Sequence, residues 1–383
     1  MMEVILLFAT KYISLDIGNQ NTKIVIGKYQ KNNVYIDKAI IIDTPLHCVE
    51  DGNIVDKLRL SQEIKNTLGM NSIKTRNAIC TTNSTAIINR EITIPKAEDS
   101  ELETMINFEL QQYLPIVMED YLIQYKVLET IQEDNSEKSF DKLKVLVIVY
   151  PKHMAEGYLE TLKEAGLKPK ALDINFNSIN KLLKNHIEIN DEKYTINKQV
   201  SPIDISGHSI SSVNNNSINE TVAFIDMGAE NLSVNIYSSG KINFSRMTTS
   251  GGSAIDKNIA REYDTIVEDA EKMKKQYCDL MGKNNFEKME QLNGIIKEDV
   301  NNWMEEINRI LQFYKNKEVG NKVDKIFIYG GSSRLNGLEE YMSRALNVQI
   351  IKLESMSNII LGKDVDKEQL DLYLNAIGAI IRL

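Results

Sequence analysis

Short stretches of apolar and β-branched residues, broken by turn formers, fill the first 90 positions and predict strands. Residues 11–29 read strand–turn–strand around Gly18-Asn19-Gln20-Asn21. Residues 34–42 continue as a strand, 59–68 predict a helix, and 77–88 form another β-like stretch. From 100 to 114 the period becomes helical: Leu102, Met105, Ile106, Phe108, Leu110 and Tyr113 share one broad face. Ser100 with Glu103 reads as a capping box at its start, and Pro115 ends it. Strand patterns over 121–131 and 142–150 flank a charged stretch at 132–141, which predicts a hairpin. Residues 152–165 predict a helix stopped by Gly166.

The second half opens differently. Residues 185–220 are rich in Asn, Ser and Asp, hold no period, and predict a flexible loop or an insertion. Strand–turn–strand returns at 221–237. A long helical region then runs from 253 to 316 with a break near Gly282. Strand 325–329, a turn, helix 335–346, a short strand and a final helix to Leu383 complete the chain.

Two of these stretches repeat each other. Ile13-Ser14-Leu15-Asp16-Ile17-Gly18-Asn19-Gln20-Asn21 aligns without gaps on Ala223-Phe224-Ile225-Asp226-Met227-Gly228-Ala229-Glu230-Asn231. Both read apolar strand, Asp, apolar residue, Gly, two variable residues, Asn, and such a match signals a duplicated domain. The chemistry suits a nucleotide polyphosphate. A tight turn centred on Gly lets backbone N–H groups approach an anion. An Asp at a strand end can face a hydrated Mg²⁺ that bridges phosphates. Lys23 adds a positive charge beside them, and two such hairpins can clamp the phosphates between two lobes. A third stretch, Ile326 to Ser333, runs from a strand into Gly330-Gly331-Ser332, where a planar base can lie against the backbone. A plain pair of turn-forming hairpins fits the same residues.

Composition excludes more than it assigns. With 383 residues, 42% hydrophobic and 26% charged, the chain is globular, and collagen, coiled coil and wholesale disorder are out. A prior of ~150 residues per domain predicts two or three domains. The net charge of -9 argues against nucleic acid as the main partner. Cys48, Cys80 and Cys278 are too scattered for a disulfide framework or a zinc site, which points to a reducing compartment. The apolar opening at 1–9 lacks a positive n-region and reads as a strand or a start-site extension. No run approaches the ~18 apolar residues of a membrane span, so a soluble, cytoplasmic protein is expected. P-loop, G-x-G-x-x-G, H-E-x-x-H and G-x-S-x-G motifs are absent. His47, His153, His186 and His208 stand apart and receive no role.

On these residues the chain resembles the actin/Hsp70/sugar-kinase ATPase superfamily. Asp16 to Gly18 is similar to its first phosphate motif, Asp226 to Gly228 to its second and Gly330-Gly331 to its adenosine motif, in the family's order. Residues 173–183 and 375–379 are similar to its two connecting helices. A narrower resemblance, to the PilM family of actin-like type IV pilus assembly proteins, rests on Phe108-Glu109-Leu110-Gln111-Gln112-Tyr113-Leu114-Pro115, on 251–260 leading to Glu268 to Lys274, and on the strand at 121–128. That family is close to FtsA, and both replace actin's small subdomain with a different one placed elsewhere.

The resemblance implies an actin-like α/β fold: two duplicated RNase H-like lobes with an FtsA/PilM-type extra subdomain around a nucleotide cleft. Residues 1–82 and 167–184 would form the first lobe, 83–166 the inserted 1C-type subdomain, 185–220 a flexible loop or insertion, 221–252 and 321–383 the second lobe, and 253–320 a 2B-type subdomain. It implies ATP with Mg²⁺, the metal at Asp16 and Asp226. Nucleotide contacts would come from Asp16, Gly18, Asn19, Asn21, Lys23, Asp226, Gly228, Ala229, Asn231, Gly251, Gly252, Gly330, Gly331 and Ser332, with Glu271 and Lys274 facing ribose and adenine. Active relatives place an acidic or amide group near the first connecting helix to position water. Asp173 and Asn175 are the candidates here, and an amide is a poor base, so tight MgATP binding with slow turnover is expected. The implied partners are the N-terminal cytoplasmic peptide of a PilN-type inner-membrane protein, held between the first lobe and the extra subdomain near helix 100–114, and components of the pilus motor platform. The chain would sit at the inner face of the membrane through that partner, with weak self-association left open. An FtsA-like division or filament protein, a small-molecule kinase of the superfamily and the related type II secretion scaffold are the alternatives.

Overall fold

The computed structural model describes residues 9–131, 141–183, 186–195, 220–238, 241–282 and 289–382. The expectations for 1–8, for the charged stretch at 132–140, for most of 185–220 and for Leu383 lie outside these residues. The first lobe opens with an antiparallel meander, β1 (Lys11–Ile17), β2 (Asn21–Gln30) and β3 (Asn33–Asp43). A small hairpin, β4 (Val49–Glu50) and β5 (Asn53–Ile54), leads into α1 (Lys57–Met70) and β6 (Asn77–Thr82), which pairs parallel with β1. The chain then leaves the lobe. Strand β7 (Ile88–Pro95), helix α2 (Asp99–Tyr113), β8 (Tyr121–Ile131) and β9 (Lys142–Pro151) form a separate three-stranded sheet in the order β7-β9-β8, covered by α2. It returns through α3 (Lys152–Glu164), β10 (Lys168–Ile174) and α4 (Asn175–Leu182), and a hairpin of β11 (His186–Ile189) and β12 (Glu192–Thr195) follows.

The second lobe repeats the plan with β13 (Val222–Met227), β14 (Leu232–Ser238) and β15 (Lys241–Met247). Helices α5 (Gly252–Glu262), α6 (Val267–Tyr277) and α7 (Glu290–Lys317) precede β16 (Lys325–Tyr329), α8 (Leu338–Leu346) and β17 (Gln349–Lys352). Strand β18 (Ile359–Leu361) crosses back to pair with β3, and α9 (Leu370–Ala379) follows. The sheets run β10-β6-β1-β2-β3-β18 and β15-β14-β13-β16-β17. Each holds a meander whose first strand pairs parallel with a later one, which is the duplication that the repeated motif predicts.

Strand periodicity turns this topology into layers. Ile13, Leu15 and Ile17 face outward onto α1 and α3, so Ser14 and Asp16 face inward. Ala223, Ile225 and Met227 face outward onto α5 to α8, so Phe224 and Asp226 face inward. Helices α4 and α9 fill the space between the two inner faces, with a common core that includes Val25, Ile179, Leu374, Phe224 and Phe327. Helix α9 is apolar almost all round, as a helix buried between two sheets must be. Its Gly378 allows the close crossing with α4: a Cβ there would come within 2.2 Å of the Ser178 carbonyl oxygen.

Four expectations need correction. Helix α2 begins at Asp99 with Glu98 before it and no side-chain cap, so Ser100 lies inside the helix and the capping box does not form. Helix α3, inside the expected 83–166 subdomain, packs Tyr158 and Leu162 into the first lobe's outer layer. Residues 186–195, within the expected flexible loop or insertion, are not a flexible loop but a hairpin, with Ile187, Ile189 and Tyr194 in the central core. Asp173 belongs to strand β10, and the connecting helix starts only at Asn175.

Candidate nucleotide cleft

The two hairpin turns are built alike. The Gly18 amide donates to the Asn21 carbonyl at 3.1 Å, and the Gly228 amide to the Asn231 carbonyl at 3.1 Å. Each Asp occupies the last inward position of its strand. The cross-strand neighbour differs: Asp16 lies opposite Lys23, whereas Asp226 lies opposite Ser233.

The carboxylates converge on one side chain. Asn375 of α9 points its Nδ2 at Asp226 Oδ2, 2.7 Å away, and at Asp16 Oδ2, 3.5 Å away. The buried Tyr329 hydroxyl donates to Asn375 Oδ1 at 3.2 Å, which fixes the direction of the amide. Asp16 and Asp226 are therefore neighbours across one cleft, although they come from different sheets.

Their charges are unequally compensated. Lys23 Nζ lies 3.7 Å from Asp16 Oδ2. Burial, and next the nearby Asp16 charge, push the Asp226 carboxyl up to about 6, against partial relief from Asn375 and Lys23. Two carboxylates held together at such a cost form an electrostatic seat for a cation. Among the described residues no group of three or more His, Cys, Asp or Glu side chains assembles that could hold a metal. This donor set suits Mg²⁺, which takes one or two carboxylates and completes its shell with phosphate oxygens and water.

Around this point lies a cavity of about 490 Å³, within the range that small ligands fill. One wall is the first hairpin, with Asp16, Gly18, Asn19, Asn21 and Lys23. The facing wall is the second, with Asp226, Gly228, Ala229 and Asn231. The second turn is buttressed by its own lobe. Its Gly228 and Ala229 carbonyls accept from the Gly252 and Ser253 amides at 3.1 and 2.8 Å, which satisfies the first donors of α5. Ser332 Oγ also donates to the Gly228 carbonyl, at 2.9 Å. The first turn reaches across instead: Gln20 Nε2 donates to Ser253 Oγ at 3.1 Å.

Gly252, Gly330, Gly331 and Ser332 also line the cavity, together with Glu271 and Lys274. Gly330 has φ +91°, and a Cβ on it would come within 2.8 Å of Asp226 Oδ1, so only glycine suits this turn. Lys274 Nζ sits 2.7 Å from both oxygens of the buried Asp256, with its hydrogen bond on Oδ2, and bonds the Gly252 carbonyl. It thereby ties α6 to the start of α5. Glu271 is partly exposed and pairs with Lys275 at 2.7 Å.

Two expected residues stand outside. Gly251 lies behind the second turn, its Cβ position 2.5 Å from the Ala229 carbonyl oxygen, and does not line the cavity. Asp173 does not line it either. Its carboxylate accepts from Lys181 Nζ at 2.6 Å and from Asn177 and the Ile174 amide. Asn175 does line the cavity and accepts from Thr81 Oγ1 at 2.8 Å. Sequence reasoning gave no role to Asn375, Gln20, Asn83 or Arg334, all of which line the cleft. Arg334 follows the Gly-Gly-Ser-Ser turn directly and is clamped by Asp371, with Nε to Oδ2 at 2.9 Å. Its position next to that motif was the available signal.

The comparisons with known proteins concern the family and the fold. A family model described as Type IV pilus assembly protein PilM matches residues 14–382. A solved PilM–PilN type IV pilus biogenesis complex is similar at 21% identity and TM-score 0.76, over 97% of this chain and 98% of that one. The ethanolamine utilization protein EutJ from Carboxydothermus hydrogenoformans is similar at 13% identity and TM-score 0.52, over 98% and 90%. A diol dehydratase-reactivating factor in nucleotide-free form is similar at 9% identity and TM-score 0.50, over 97% and 99%. The likeness to the PilM–PilN complex and to EutJ is to proteins of actin-like fold.

Proposed function

The chain belongs to the PilM family of type IV pilus assembly proteins, and we propose that it serves there as a scaffold that holds a magnesium nucleoside triphosphate, ATP, in its cleft while it binds the N-terminal tail of a PilN-type membrane protein. The convergence of Asp16 and Asp226 over one cavity carries the nucleotide reading. The hairpin turns would receive the phosphates, and the end lined by Gly330, Gly331 and Ser332 the nucleoside. Mg²⁺ would be held by Asp16 and Asp226 and would neutralise phosphate charge. The chain's own groups would orient the ligand: Lys23 beside the phosphates, Glu271 and Lys274 at the nucleoside end.

Fast hydrolysis is not part of this reading. A water-activating group must accept a proton. Asn175 is an amide without a basic atom, and Asp173 is engaged by Lys181 away from the cleft. Bound nucleotide would act on the lobes as a conformational ligand.

Similarity to the PilM–PilN complex supports the partner. Among the described residues no helix is long and apolar enough to cross a membrane, which fits attachment through another protein. The junction of the inserted sheet with the first lobe is the proposed seat. Asp51 holds it by accepting from the Thr85 amide at 3.1 Å. Exposed apolar side chains occur on both connected units, Leu46, Val55 and Leu58 on the first lobe and Leu122 on β8. Pull-down of the full chain by a synthetic tail peptide of the PilN-type protein tests the reading. Retention that Leu58→Glu or Leu122→Glu weakens at least tenfold supports it, and no retention by the parent chain contradicts it.

A further inference from the structure

Helix α9 packs on the first lobe's sheet, yet one of its faces is bonded to the second lobe. Asp371 and Asn375 lie one turn apart on that face. Arg334 grips Asp371, and the Gly330 amide donates to the Asp371 carbonyl at 3.1 Å. One turn on, Asn375 reaches both carboxylates, its oxygen fixed by Tyr329. An amide turned the other way would set its own oxygen against two anions. As placed, it gives them hydrogen without adding charge. It is 5% exposed and belongs to none of the phosphate or adenosine motifs.

We propose that Asn375 is a positioning residue that bridges the two carboxylates of the cleft, so that a bare divalent cation competes poorly there and is accepted only together with the phosphates. This rests on the nucleotide reading of the same cleft. The argument is a comparison of partners. A lone cation offers the carboxylates charge but must be stripped of water and must displace a hydrogen bond to a charged group. A cation that arrives on a triphosphate brings oxygen ligands, and the ligand gains the hairpin amides and Lys23 as well. A cleft guarded in this way would ignore free Mg²⁺ and respond to its nucleotide complex.

The test uses the full chain with Mn²⁺ alone, without nucleotide or peptide, and reads free Mn²⁺ by electron paramagnetic resonance. The parent should bind Mn²⁺ weakly. Asn375→Ala, which removes the bridge, should bind it roughly tenfold or more tightly, the factor that corresponds to one lost hydrogen bond to a charged group. Asn375→Asp, which adds a third carboxylate, should bind it more tightly still. If Asn375→Ala does not fold, Asn375→Ser, too short to span both carboxylates, replaces it. Tightening in the variants, abolished by a second Asp226→Ala change, supports the bridge. Mn²⁺ affinity unchanged or weaker in Asn375→Ala, or in Asn375→Ser where it replaces that variant, overturns it whatever Asn375→Asp does. Because no nucleotide is present, that failure leaves the nucleotide reading to be judged on its own titration.

Discussion

The two phosphate-type hairpins share a backbone and differ in charge. Both close with the same Gly-to-Asn hydrogen bond, and in both an Asp takes the last inward position of the strand. In the first, register places Lys23 opposite the Asp. In the second the same position is Ser233. The consequence is an asymmetric pair: Asp16 has a cation beside it, whereas burial and Asp16 itself push Asp226 up. The two hairpins repeat one backbone, and the cross-strand residue, Lys23 in the first and Ser233 in the second, leaves the second short of positive charge.

Removing the charge from the second hairpin should have the largest effect. Asp226→Asn keeps the Asn375 contact and deletes the strained carboxylate. A carboxyl raised in the folded state costs stability above its folded value, and the cost fades as pH falls toward the unfolded value. Asp226→Asn should therefore stabilise the nucleotide-free protein by about 3 kcal/mol at pH 7. The gain should shrink as pH falls through 6 and vanish near pH 4. Denaturant melts across that range measure it, and a gain that grows toward low pH contradicts the asymmetry.

Next in size is the backbone beneath Asp226. Gly330→Ala forces a side chain into left-handed backbone and against Asp226 Oδ1, at a cost of roughly 2 kcal/mol. The first lobe has no counterpart of this glycine: β6, the equivalent of β16, runs into Asn83. Asn83→Ala should cost less than 0.5 kcal/mol, on the order of an ordinary surface change. Equal losses in the two variants would remove the distinction between the ends of the cleft.

The smallest effect should come from making the first hairpin resemble the second. Lys23→Ser removes the cation from a partly exposed pair, worth about 1 kcal/mol or less. Its clearer signature should be a several-fold loss of nucleotide affinity that high salt partly masks in the parent. An unchanged affinity at low salt would show that Lys23 serves only Asp16.

Much of this comparison was legible in the sequence, because strand alternation and an Asp-x-Gly turn are local signals. They predicted a duplicated domain with a matching acidic hairpin in each half. The bridge was not legible. Asn375 meets Asp16 across 359 positions, and no local pattern marks a helix residue as the partner of two distant strand ends. The β11–β12 hairpin was missed for another reason. Asn190 and Asp191 both adopt positive φ, 49° and 63°, the signature of a two-residue turn, but the surrounding Asn- and Ser-rich composition concealed it. Asp173 was misjudged because its carboxylate is engaged by Lys181, eight residues on and one helix away.

Isothermal titration of MgATP into the full nucleotide-free chain, beside Asp16→Ala and Asp226→Ala, tests the shared cleft most directly. A parent affinity near 10 μM corresponds to about 2.7 kcal/mol of added stability at 1 mM ligand. The account predicts saturable 1:1 binding to the parent and a loss of at least tenfold in either variant, with both still folded. Undiminished binding in one variant, or none in the parent, would contradict the claim that both carboxylates serve one ligand.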